Sequence, residues 1–314
     1  MAVYTHVATD ELARVLDRYD LGRLEKFEAI PEGVENSNFH IFTTKARCVL
    51  TLFERRVVTA DIPFFLALMS HLAAKGVPAP APIADRSGAV LQEIAGRPAV
   101  LVSYLEGAAR MRPTAPDCRA LGAMLARLHE AGAGFAMRRD NDLAFAGWRT
   151  LAARCAGRAD EAAPSLGALI AEELETLAKV WPNDLPEGVI HADLFPDNVF
   201  FREGGAISGL IDFYFACNDF YGYDLAVALN SWCWLDRVWR AENAQAMIAG
   251  YESVRPLARG ERAALAIFLR GAALRFLLTR LYDFLHQVEG AVVRVKDPLE
   301  YRDLLLFHRG RSPA

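Results

Sequence analysis

The sequence predicts an α+β protein with two lobes, a small antiparallel sheet followed by a larger, mostly helical part. In the first third of the chain, short β-branched and aromatic runs alternate with polar turns, a pattern typical of antiparallel strands. After Gly107 the apolar residues recur at helical spacing instead, which predicts amphipathic helices. We therefore expect an N-terminal lobe of residues 1–105 and a C-terminal lobe of residues 106–314.

The N-terminal lobe is predicted to begin with an amphipathic helix over residues 10–19. A second helix is predicted over residues 61–75, and the proline-rich run 76–82 after it is expected to be extended, because proline ends helices. The strand patterns lie at residues 26–30, 39–42, 48–53, 89–93 and 99–104.

The C-terminal lobe is predicted to consist mainly of helices. Thr114 to Asp117 form a capping box with a proline in the first turn, which predicts a helix from there to about residue 131. A second amphipathic helix is predicted over residues 165–181, and a run of helices from residue 218 to about residue 306. Within that run, the apolar stretch 263–281 carries three arginines and no acidic residue.

The polar motif H-x-D-x-x-x-x-N occupies residues 191–198, between two apolar runs. The Gly-Gly turn at 204–205 predicts a hairpin that returns Asp212 to the side of Asn198. Two carboxylates and one amide oxygen would then converge, which suits phosphoryl transfer from a magnesium nucleotide. We assign Asp193 as the base that accepts the proton of the attacking hydroxyl, and Asn198 and Asp212 as metal ligands.

Three nearby residues are expected to support this motif. His191, at the transition from strand to loop, is predicted to hold the loop through hydrogen bonds. Asp224 precedes the apolar run 225–229 and is predicted to be a helix N-cap. Asp219 lies closer to the metal loop in the sequence and is the candidate contact to the acceptor substrate.

The bulk properties exclude several classes of function. A net charge of -4 and a pI near 6.0, without a Lys/Arg-rich block, give no general attraction for nucleic acid. The N-terminus resembles no signal peptide, and the arginines within residues 263–281 argue against a membrane span. The five cysteines show no C-x-x-C spacing and indicate reduced core thiols. We expect a cytoplasmic protein with small-molecule partners.

The motif and the residues after it resemble those of the aminoglycoside-phosphotransferase-like kinases, distant relatives of protein kinases; the segments that carry this resemblance are 212–213, 218–219 and 223–226. Nearly the whole chain is similar to one group of that fold, the homoserine kinases, most clearly at residues 33–38, 49–54 and 212–219. The resemblance implies a protein-kinase-like two-lobed fold, ATP and Mg²⁺ as cofactors, and phosphorylation of the side-chain hydroxyl of L-homoserine for threonine biosynthesis.

The nucleotide is expected against the N-terminal lobe. Where such kinases carry a Gly-rich loop, this chain has Gly33 followed by Asn36, Ser37 and Asn38, whose polar side chains and N–H groups favour a phosphate nest. A polar hairpin turn is the alternative for this loop. By the resemblance, Tyr104 and Leu105 are the candidate hinge residues, which would bond adenine through their main chain.

The third strand departs from the protein-kinase pattern. It carries Thr51 at the position of the phosphate-binding lysine, and the following helix offers Phe64 and Phe65 where the partner glutamate is expected. The homoserine kinases show the same Thr-containing strand, so the phosphate charge would be neutralised by Mg²⁺, loop amides and Arg55 or Arg56. An inactive nucleotide-binding pseudokinase is the alternative from a different class of function.

A small amino-acid substrate would need an acid and a guanidinium in the pocket. Arg275 falls on the inward-facing line of the helix 263–281 and is the first candidate for a carboxylate clamp, with Arg280 the second. The main alternative enzyme is a choline, aminoglycoside or sugar kinase of the same fold. A choline kinase would need an aromatic cation box, for which the candidates, otherwise packing residues, are Trp232, Trp234 and Trp239.

Overall fold

The computed structural model describes residues 5–31, 36–54, 57–287 and 296–310. Its first part is a five-stranded antiparallel sheet in the order β1-β2-β3-β5-β4. The strands are β1 (Leu24–Ile30), β2 (Ser37–Thr43), β3 (Arg47–Leu52), β4 (Leu91–Ile94) and β5 (Arg97–Ser103). This confirms the sheet that the alternating sequence pattern predicts.

The two faces of the sheet are covered by two different helices, α1 (Thr9–Leu16) and α2 (Ile62–Ala74). Successive side chains of a strand point to opposite faces, and β5 shows this clearly. Ala99 and Leu101 pack in one cluster with α1, whereas Val100 and Val102 pack in another with α2 and the helices that follow. The centre of the sheet is therefore buried on both sides.

The second part of the chain is mostly helical, as predicted. Its helices are α3 (Ala115–Gly132), α4 (Phe145–Cys155), α5 (Leu166–Val180), α6 (Tyr221–Cys233), α7 (Ala241–Glu252), α8 (Arg259–Leu285) and α9 (Pro298–Arg309). The capping box of α3 is confirmed, since the Thr114 N–H and hydroxyl both donate to Asp117 Oδ2, at 2.9 and 2.7 Å. Helix α4 is an element that the sequence pattern did not predict.

Short strands hold the polar motif between the helices. The loop 191–198 lies between β7 (Glu187–Ile190) and β8 (Val199–Phe201). Strand β8 forms the predicted hairpin with β9 (Ile207–Leu210), and Gly205 in its turn has a φ of 82°, which glycine adopts without a Cβ penalty. The remaining short strands are β6 (Ala108–Ala109), β10 (Cys217–Phe220), β11 (Trp234–Leu235) and β12 (Val238–Trp239).

The predicted lobe boundary at residues 105 and 106 falls between β5, in the large sheet, and β6, which pairs with β8. The boundary itself stays a prediction. Within the described ranges, no helix combines the length and the apolar character that crossing a bilayer requires. In the 27-residue helix α8, all three arginines of the apolar stretch, Arg270, Arg275 and Arg280, take part in ion pairs.

Candidate active site

The hairpin between β8 and β9 brings the three oxygen-bearing residues of the motif together. The Ile211 N–H donates to the Asn198 carbonyl at 3.0 Å, which places Asp212 directly beside Asn198. His191 Nε2 lies 3.0 Å from the Ile211 carbonyl; since a carbonyl only accepts, this nitrogen carries the ring proton. The Asp193 N–H donates to the other ring nitrogen, Nδ1, at 3.3 Å. The neutral ring of His191 thus links the two segments that carry the carboxylates.

Asp193 lies at the mouth of the loop with 18% of its side chain exposed. The Asn198 amide donates to the Asp193 carbonyl at 2.8 Å and lies 3.5 Å from its carboxylate. Burial raises the pKa of Asp193, and the charges of Arg275 and Lys296 and the nearby imidazole of His191 act against this rise. The carboxylate is therefore a better proton acceptor than a fully solvated aspartate, while it remains within reach of a bound molecule.

Two residues of this region hold a left-handed backbone that residues with a side chain rarely adopt. Ala192 has a φ of 63° and Asp212 a φ of 64°, and such conformations persist only where the surroundings enforce them. At Ala192 the surroundings are clear: its N–H donates to Asp224 Oδ1 at 2.8 Å, and its carbonyl accepts from Arg275 Nη1. The backbone that presents Asp193 is thus clamped from both sides.

Asp224 is the main anchor of the loop, and its prediction as a helix N-cap is wrong. The N-cap of α6 is Phe220, and Asp224 lies inside the first turn. Its fully buried carboxylate instead accepts from the N–H groups of His191 and Ala192, both at 2.8 Å. Burial would raise the pKa of Asp224, but the hydrogen bonds from His129 and from the His191 N–H, together with the proximity of the two imidazole rings, outweigh it and lower the pKa.

A buried hydrogen-bonded chain extends this anchor away from the loop. His129 Nε2 donates to Asp224 Oδ2 at 3.0 Å, and its Nδ1 accepts from the Tyr251 hydroxyl at 2.8 Å. The same hydroxyl accepts from Arg255 Nη1 at 3.1 Å, and Arg255 pairs with the buried Glu261 at 3.0 Å. Helices α3, α6, α7 and α8 are therefore connected through polar contacts to the loop that carries Asp193.

Lowering the pH is expected to destabilise the fold through His129 and His191. Burial lowers the pKa of both rings, whereas in the unfolded chain each titrates near about 6.5. Below that pH the unfolded chain binds more protons than the folded one, so the free energy of unfolding falls, by up to about 2.7 kcal/mol per pH unit for two histidines. Urea unfolding at pH 7.5, 6.5 and 5.5 measures this slope. In the His129→Gln variant the free energy of unfolding should fall about half as steeply with pH. Equal slopes in the variant and the wild type would contradict the role of His129.

Both predicted arginine clamps are already engaged by the protein. Arg275 is 1% exposed, donates to the Ala192 carbonyl and lies 3.9 Å from the Asp193 carboxylate. Arg280 pairs with Glu300 at 2.6 Å. The structure thus places Arg275 behind the loop, in contact with the motif, and Arg280 at the junction of α8 and α9.

Asp219 lies on β10, opposite Gly188 of β7. Its carboxylate accepts from the Asn141 amide at 2.7 Å and from the Phe220 N–H at 2.7 Å. Burial raises its pKa, and these hydrogen bonds act against the rise. Asp219 is therefore held in place from two sides next to the first turn of α6.

The predicted nucleotide loop is only partly described, because Gly33, Arg55 and Arg56 lie outside the described residues. Asn36 and Ser37 are buried, and their side chains bind the residue that follows β3 by two: Asn36 Oδ1 accepts from the Glu54 N–H at 3.3 Å, and the Ser37 hydroxyl donates to Glu54 Oε1 at 2.7 Å. Arg97 contributes an ion pair to Glu54 at 3.4 Å. These contacts fix the described end of the loop to Glu54, just after β3.

Thr51 occupies the position predicted for it on β3, directly opposite Asn38 of β2. Its hydroxyl donates to Asn38 Oδ1 at 2.7 Å. Tyr214 follows Asp212 by two residues and packs its ring against Phe53 and Phe65. Neutral contacts therefore join the sheet and α2 to the segment after Asp212, in place of the ion pair of protein kinases.

The predicted hinge residues lie just after β5. The Tyr104 ring contacts His40, with 5.7 Å between the ring centroids, and Arg47 stacks on it at 3.7 Å from the centroid. A Cβ at Gly209 would come within 3.2 Å of Leu105, so this segment runs close along β9. Tyr104 therefore packs on the sheet, and Leu105 lies against the hairpin of β8 and β9.

The sequence did not predict the contacts of several supporting residues. Trp232 is fully buried and donates its indole N–H to the carbonyl of Leu194, next to Asp193, at 2.9 Å. His129 is confirmed as the buried structural histidine that its place beside the apolar stripe predicts, but Tyr214, Tyr251 and Arg255 were missed as well. Only the L-H dipeptide at the apolar stripe of α3 marks His129 in the sequence, since its partners lie 95 and 122 residues away.

The comparisons with known proteins agree with this geometry. Residues 26–257 match the sequence model of the phosphotransferase enzyme family. The chain is 57% identical to a protein named homoserine kinase from Xanthobacter autotrophicus, covering 100% of this chain and 98% of that one. This confirms the resemblance to homoserine kinases inferred from the residues.

Two solved structures share the fold at low sequence identity. A spectinomycin phosphotransferase in complex with ADP and spectinomycin superposes with a TM-score of 0.74 at 14% identity, covering 97% of this chain and 98% of that one. An amicoumacin kinase in complex with AMP-PNP and Ca²⁺ has a TM-score of 0.70 at 15% identity, covering 95% and 90%. The expected protein-kinase-like fold is thereby confirmed. With its family model matched over most of its length, the chain belongs to the phosphotransferase enzyme family.

Proposed function

We propose that this protein is an ATP-dependent kinase that transfers the γ-phosphoryl group of ATP to the side-chain hydroxyl of L-homoserine, giving O-phospho-L-homoserine for threonine biosynthesis. The observation that carries the reaction class is the convergence of Asp193, Asn198 and Asp212 on one loop and one hairpin. The choice of L-homoserine is supported by the 57% identity, over the whole chain, to a protein of that name.

Asp193 acts as the general base in this proposal. Its carboxylate lies within the loop yet remains partly exposed, so it can accept the proton of the substrate hydroxyl as the oxygen attacks phosphorus. Arg275 is a positioning residue rather than a substrate clamp, because it is buried and holds the Ala192 carbonyl. Asp219 remains the candidate for the substrate ammonium group.

Asn198 and Asp212 fit a divalent metal, which we propose to be Mg²⁺. Oxygen ligands from one or two side chains, completed by nucleotide phosphates, are what Mg²⁺ prefers. The Asn198 amide nitrogen donates to the Asp193 carbonyl, and this orients its Oδ1 as a ligand. When bound, the metal ion would neutralise phosphate charge. No trio of His, Cys, Asp or Glu side chains among the described residues is placed to hold a metal, so the nucleotide would complete the coordination shell.

The nucleotide is proposed to lie between the sheet and the hairpin, with its phosphates near Asn36, Ser37, Asn38 and Thr51. Because the side chains of Asn36 and Ser37 bind Glu54, we propose that the loop contacts phosphate through its backbone N–H groups. Tyr104 and Leu105 would bond adenine through their main chain.

Replacing Thr51 by Val is expected to lower the free energy of unfolding by about 1–3 kcal/mol and to raise the KM for ATP more than it lowers kcat. Valine keeps the shape but leaves Asn38 Oδ1 without this partner. Thermal unfolding and ATP titrations measure both effects. Thr150→Val, on the exposed side of α4, is the matched control and should behave as the wild type. A Thr51→Val protein indistinguishable from that control would refute the contact's role.

The free thiols of all five cysteines are buried, which suits a reducing compartment. We therefore propose a cytoplasmic location. We also propose that the partners are small molecules, and not nucleic acid or membranes. The division into a nucleotide-binding lobe of residues 1–105 and a catalytic lobe of residues 106–314 also belongs to it.

The experiment that tests the proposed function measures ADP release from Mg-ATP over a panel of hydroxylated acceptors. The panel contains L-homoserine, L-serine, choline, ethanolamine, spectinomycin and simple sugars. L-Homoserine is expected to stimulate ADP release with the highest kcat/KM. Stimulation by choline, an aminoglycoside or a sugar, with none by homoserine, would reject the named substrate and retain the kinase.

The pseudokinase alternative is favoured by one observation, the neutral Thr51 where a lysine is expected. Isothermal titration with Mg-ATP separates it from the kinase. Nucleotide binding with no acceptor-stimulated ADP release for any member of the panel would favour the pseudokinase.

A further inference from the structure

Lys296 lies beside the catalytic loop, at the point where the chain enters α9. Its side chain is exposed, and its Nζ lies 5.3 Å from the centroid of the Phe195 ring. Phe195 belongs to the motif, and its N–H donates to the Asp193 carbonyl at 2.9 Å. The ammonium group therefore stands over the same short loop that presents the proposed base.

The side chains that pack beneath Lys296 are aromatic. The Phe195 ring packs edge-on against Phe276 of α8, with centroids 4.9 Å apart, and Phe276 packs against the buried Tyr301 of α9 at 5.3 Å. A cation over the face of such a ring is attracted by its quadrupole. Lys296 is thus held near the loop by a contact that leaves its hydrogen-bond donors available.

The acidic residues around Lys296 are paired with other cations. Asp297 pairs with Arg237 at 2.7 Å, and Glu300 pairs with Arg280 at 2.6 Å. Among the residues that the structure describes, no carboxylate lies within ion-pair distance of the Lys296 ammonium. Its positive charge is consequently available to a bound molecule.

Two other described cations near the motif, Arg275 and Arg280, are already bound by groups of the protein. Arg275 is buried, donates to the Ala192 carbonyl and faces Asp193, and Arg280 is engaged by Glu300 and by the Asp297 carbonyl at 3.1 Å. Of the three cationic or protonatable groups that act on the pKa of Asp193, Arg275 and His191 are buried and only Lys296 is exposed. When the hydroxyl of an acceptor lies at Asp193, Lys296 is therefore the exposed cation that can bind the acceptor's carboxylate.

We propose that Lys296 binds the carboxylate of the acceptor substrate and makes the site specific for hydroxylated amino acids over amino alcohols. This inference rests on the proposed function, because it assigns a partner to the carboxylate of L-homoserine. The charge-assisted hydrogen bond orients the acceptor so that its hydroxyl points to Asp193. Amino alcohols lack this carboxylate.

The test compares two acceptors in two proteins. 3-Amino-1-propanol is L-homoserine with its carboxylate replaced by hydrogen, so it keeps both the hydroxyl and the amine. Replacing Lys296 by Met is expected to lower kcat/KM for L-homoserine by about ten- to a hundredfold, the worth of a hydrogen bond to a charged group, chiefly through KM. The value for 3-amino-1-propanol should change by less than about twofold, because no carboxylate partner is lost. Lys296→Arg should retain most of the activity on L-homoserine.

A second probe does not depend on turnover of the poorer acceptor. L-2-Aminobutyrate keeps the carboxylate and the amine of homoserine but lacks the hydroxyl, so it acts as a competitive inhibitor. Its inhibition constant should rise in Lys296→Met by the same factor as the KM for L-homoserine. Lys179→Met, an exposed lysine of α5, is the matched control and should leave all these constants unchanged.

The possible outcomes separate the two proposals. An unaltered kcat/KM for L-homoserine in Lys296→Met, or equal losses on both acceptors, would overturn the role of Lys296 and leave the homoserine kinase proposal intact. A wild-type protein that turns over other acceptors and ignores L-homoserine would overturn the proposed function, and this inference with it.

Discussion

Replacing Asp193 by Asn is expected to lower kcat by about 10²–10⁴-fold, the usual contribution of a positioned general base. Asparagine has nearly the same shape and can still face the Asn198 amide, but it cannot accept the proton of the attacking hydroxyl. Affinity for Mg-ATP should change little, because the proposed metal ligands are Asn198 and Asp212. Steady-state ADP release and calorimetric titration with Mg-ATP measure the two quantities.

Asp197→Asn is the matched control for this change. Asp197 lies in the same loop, one residue before Asn198, and its side chain is exposed. The same loss of one negative charge should there leave kcat close to the wild-type value. A fall in kcat of similar size in both variants would show that loop charge, rather than proton transfer, governs the rate. A fully active Asp193→Asn would reject Asp193 as the base.

Replacing Asp224 by Ala is expected to have the second-largest effect. The change leaves three buried donors without their acceptor, namely the N–H groups of His191 and Ala192 and the Nε2–H of His129. The expected loss of stability is about 3–5 kcal/mol, as for other broken buried polar contacts. In the protein that still folds, the left-handed Ala192 loses one of its two clamps, and a shift of Asp193 by about 1 Å would lower kcat by about 10²-fold.

Asp224→Asn gives a variant that keeps the side-chain volume and should fold more readily. Its single carbonyl oxygen cannot replace both carboxylate oxygens, so kcat should still fall. Asp117→Ala is the control, since Asp117 is also buried and bonds two groups of Thr114, but at the start of α3. It should cost about 1–2 kcal/mol of stability, as expected for a lost cap, while kcat of the folded protein is retained. Retention of full kcat in folded Asp224→Asn would contradict the anchoring role.

The features that the sequence predicted well are local in the chain. The motif 191–198, the turn at Gly204 and Gly205, and Asp212 lie within 22 residues. Their spacing alone determines that the hairpin returns Asp212 to Asn198, as the Ile211 contact shows. The alternation of β5 is local in the same sense, because neighbouring residues must point to opposite faces.

The features that the sequence did not predict depend on distant contacts. Asp224 has the composition of a helix cap, but its partners are backbone N–H groups 32 and 33 residues earlier. Arg275 lies on the inward face of α8 as expected, yet its acceptor is a carbonyl 83 residues away. Spacing shows which way a side chain points along its own helix, and not what the fold brings to meet it.

Helix α4 was missed for a different reason. Of its eleven residues, only Trp148 and Cys155 are fully buried, so it shows no apolar stripe of the kind that identifies a helix in a sequence. The role proposed for Lys296 could not be predicted from the sequence either. A single lysine between two unrelated segments has no pattern, and only its position over Phe195 distinguishes it.

If Asp193 is the base of a homoserine kinase, the γ-phosphoryl group of ATP must appear on the hydroxyl of L-homoserine. ³¹P NMR of the wild-type protein with Mg-ATP and L-homoserine observes this product directly. We expect a phosphate-monoester signal, coupled to a methylene group, that grows in equal amount with ADP and is lost in Asp193→Asn. Release of ADP with inorganic phosphate alone, or no reaction in either protein, would contradict it.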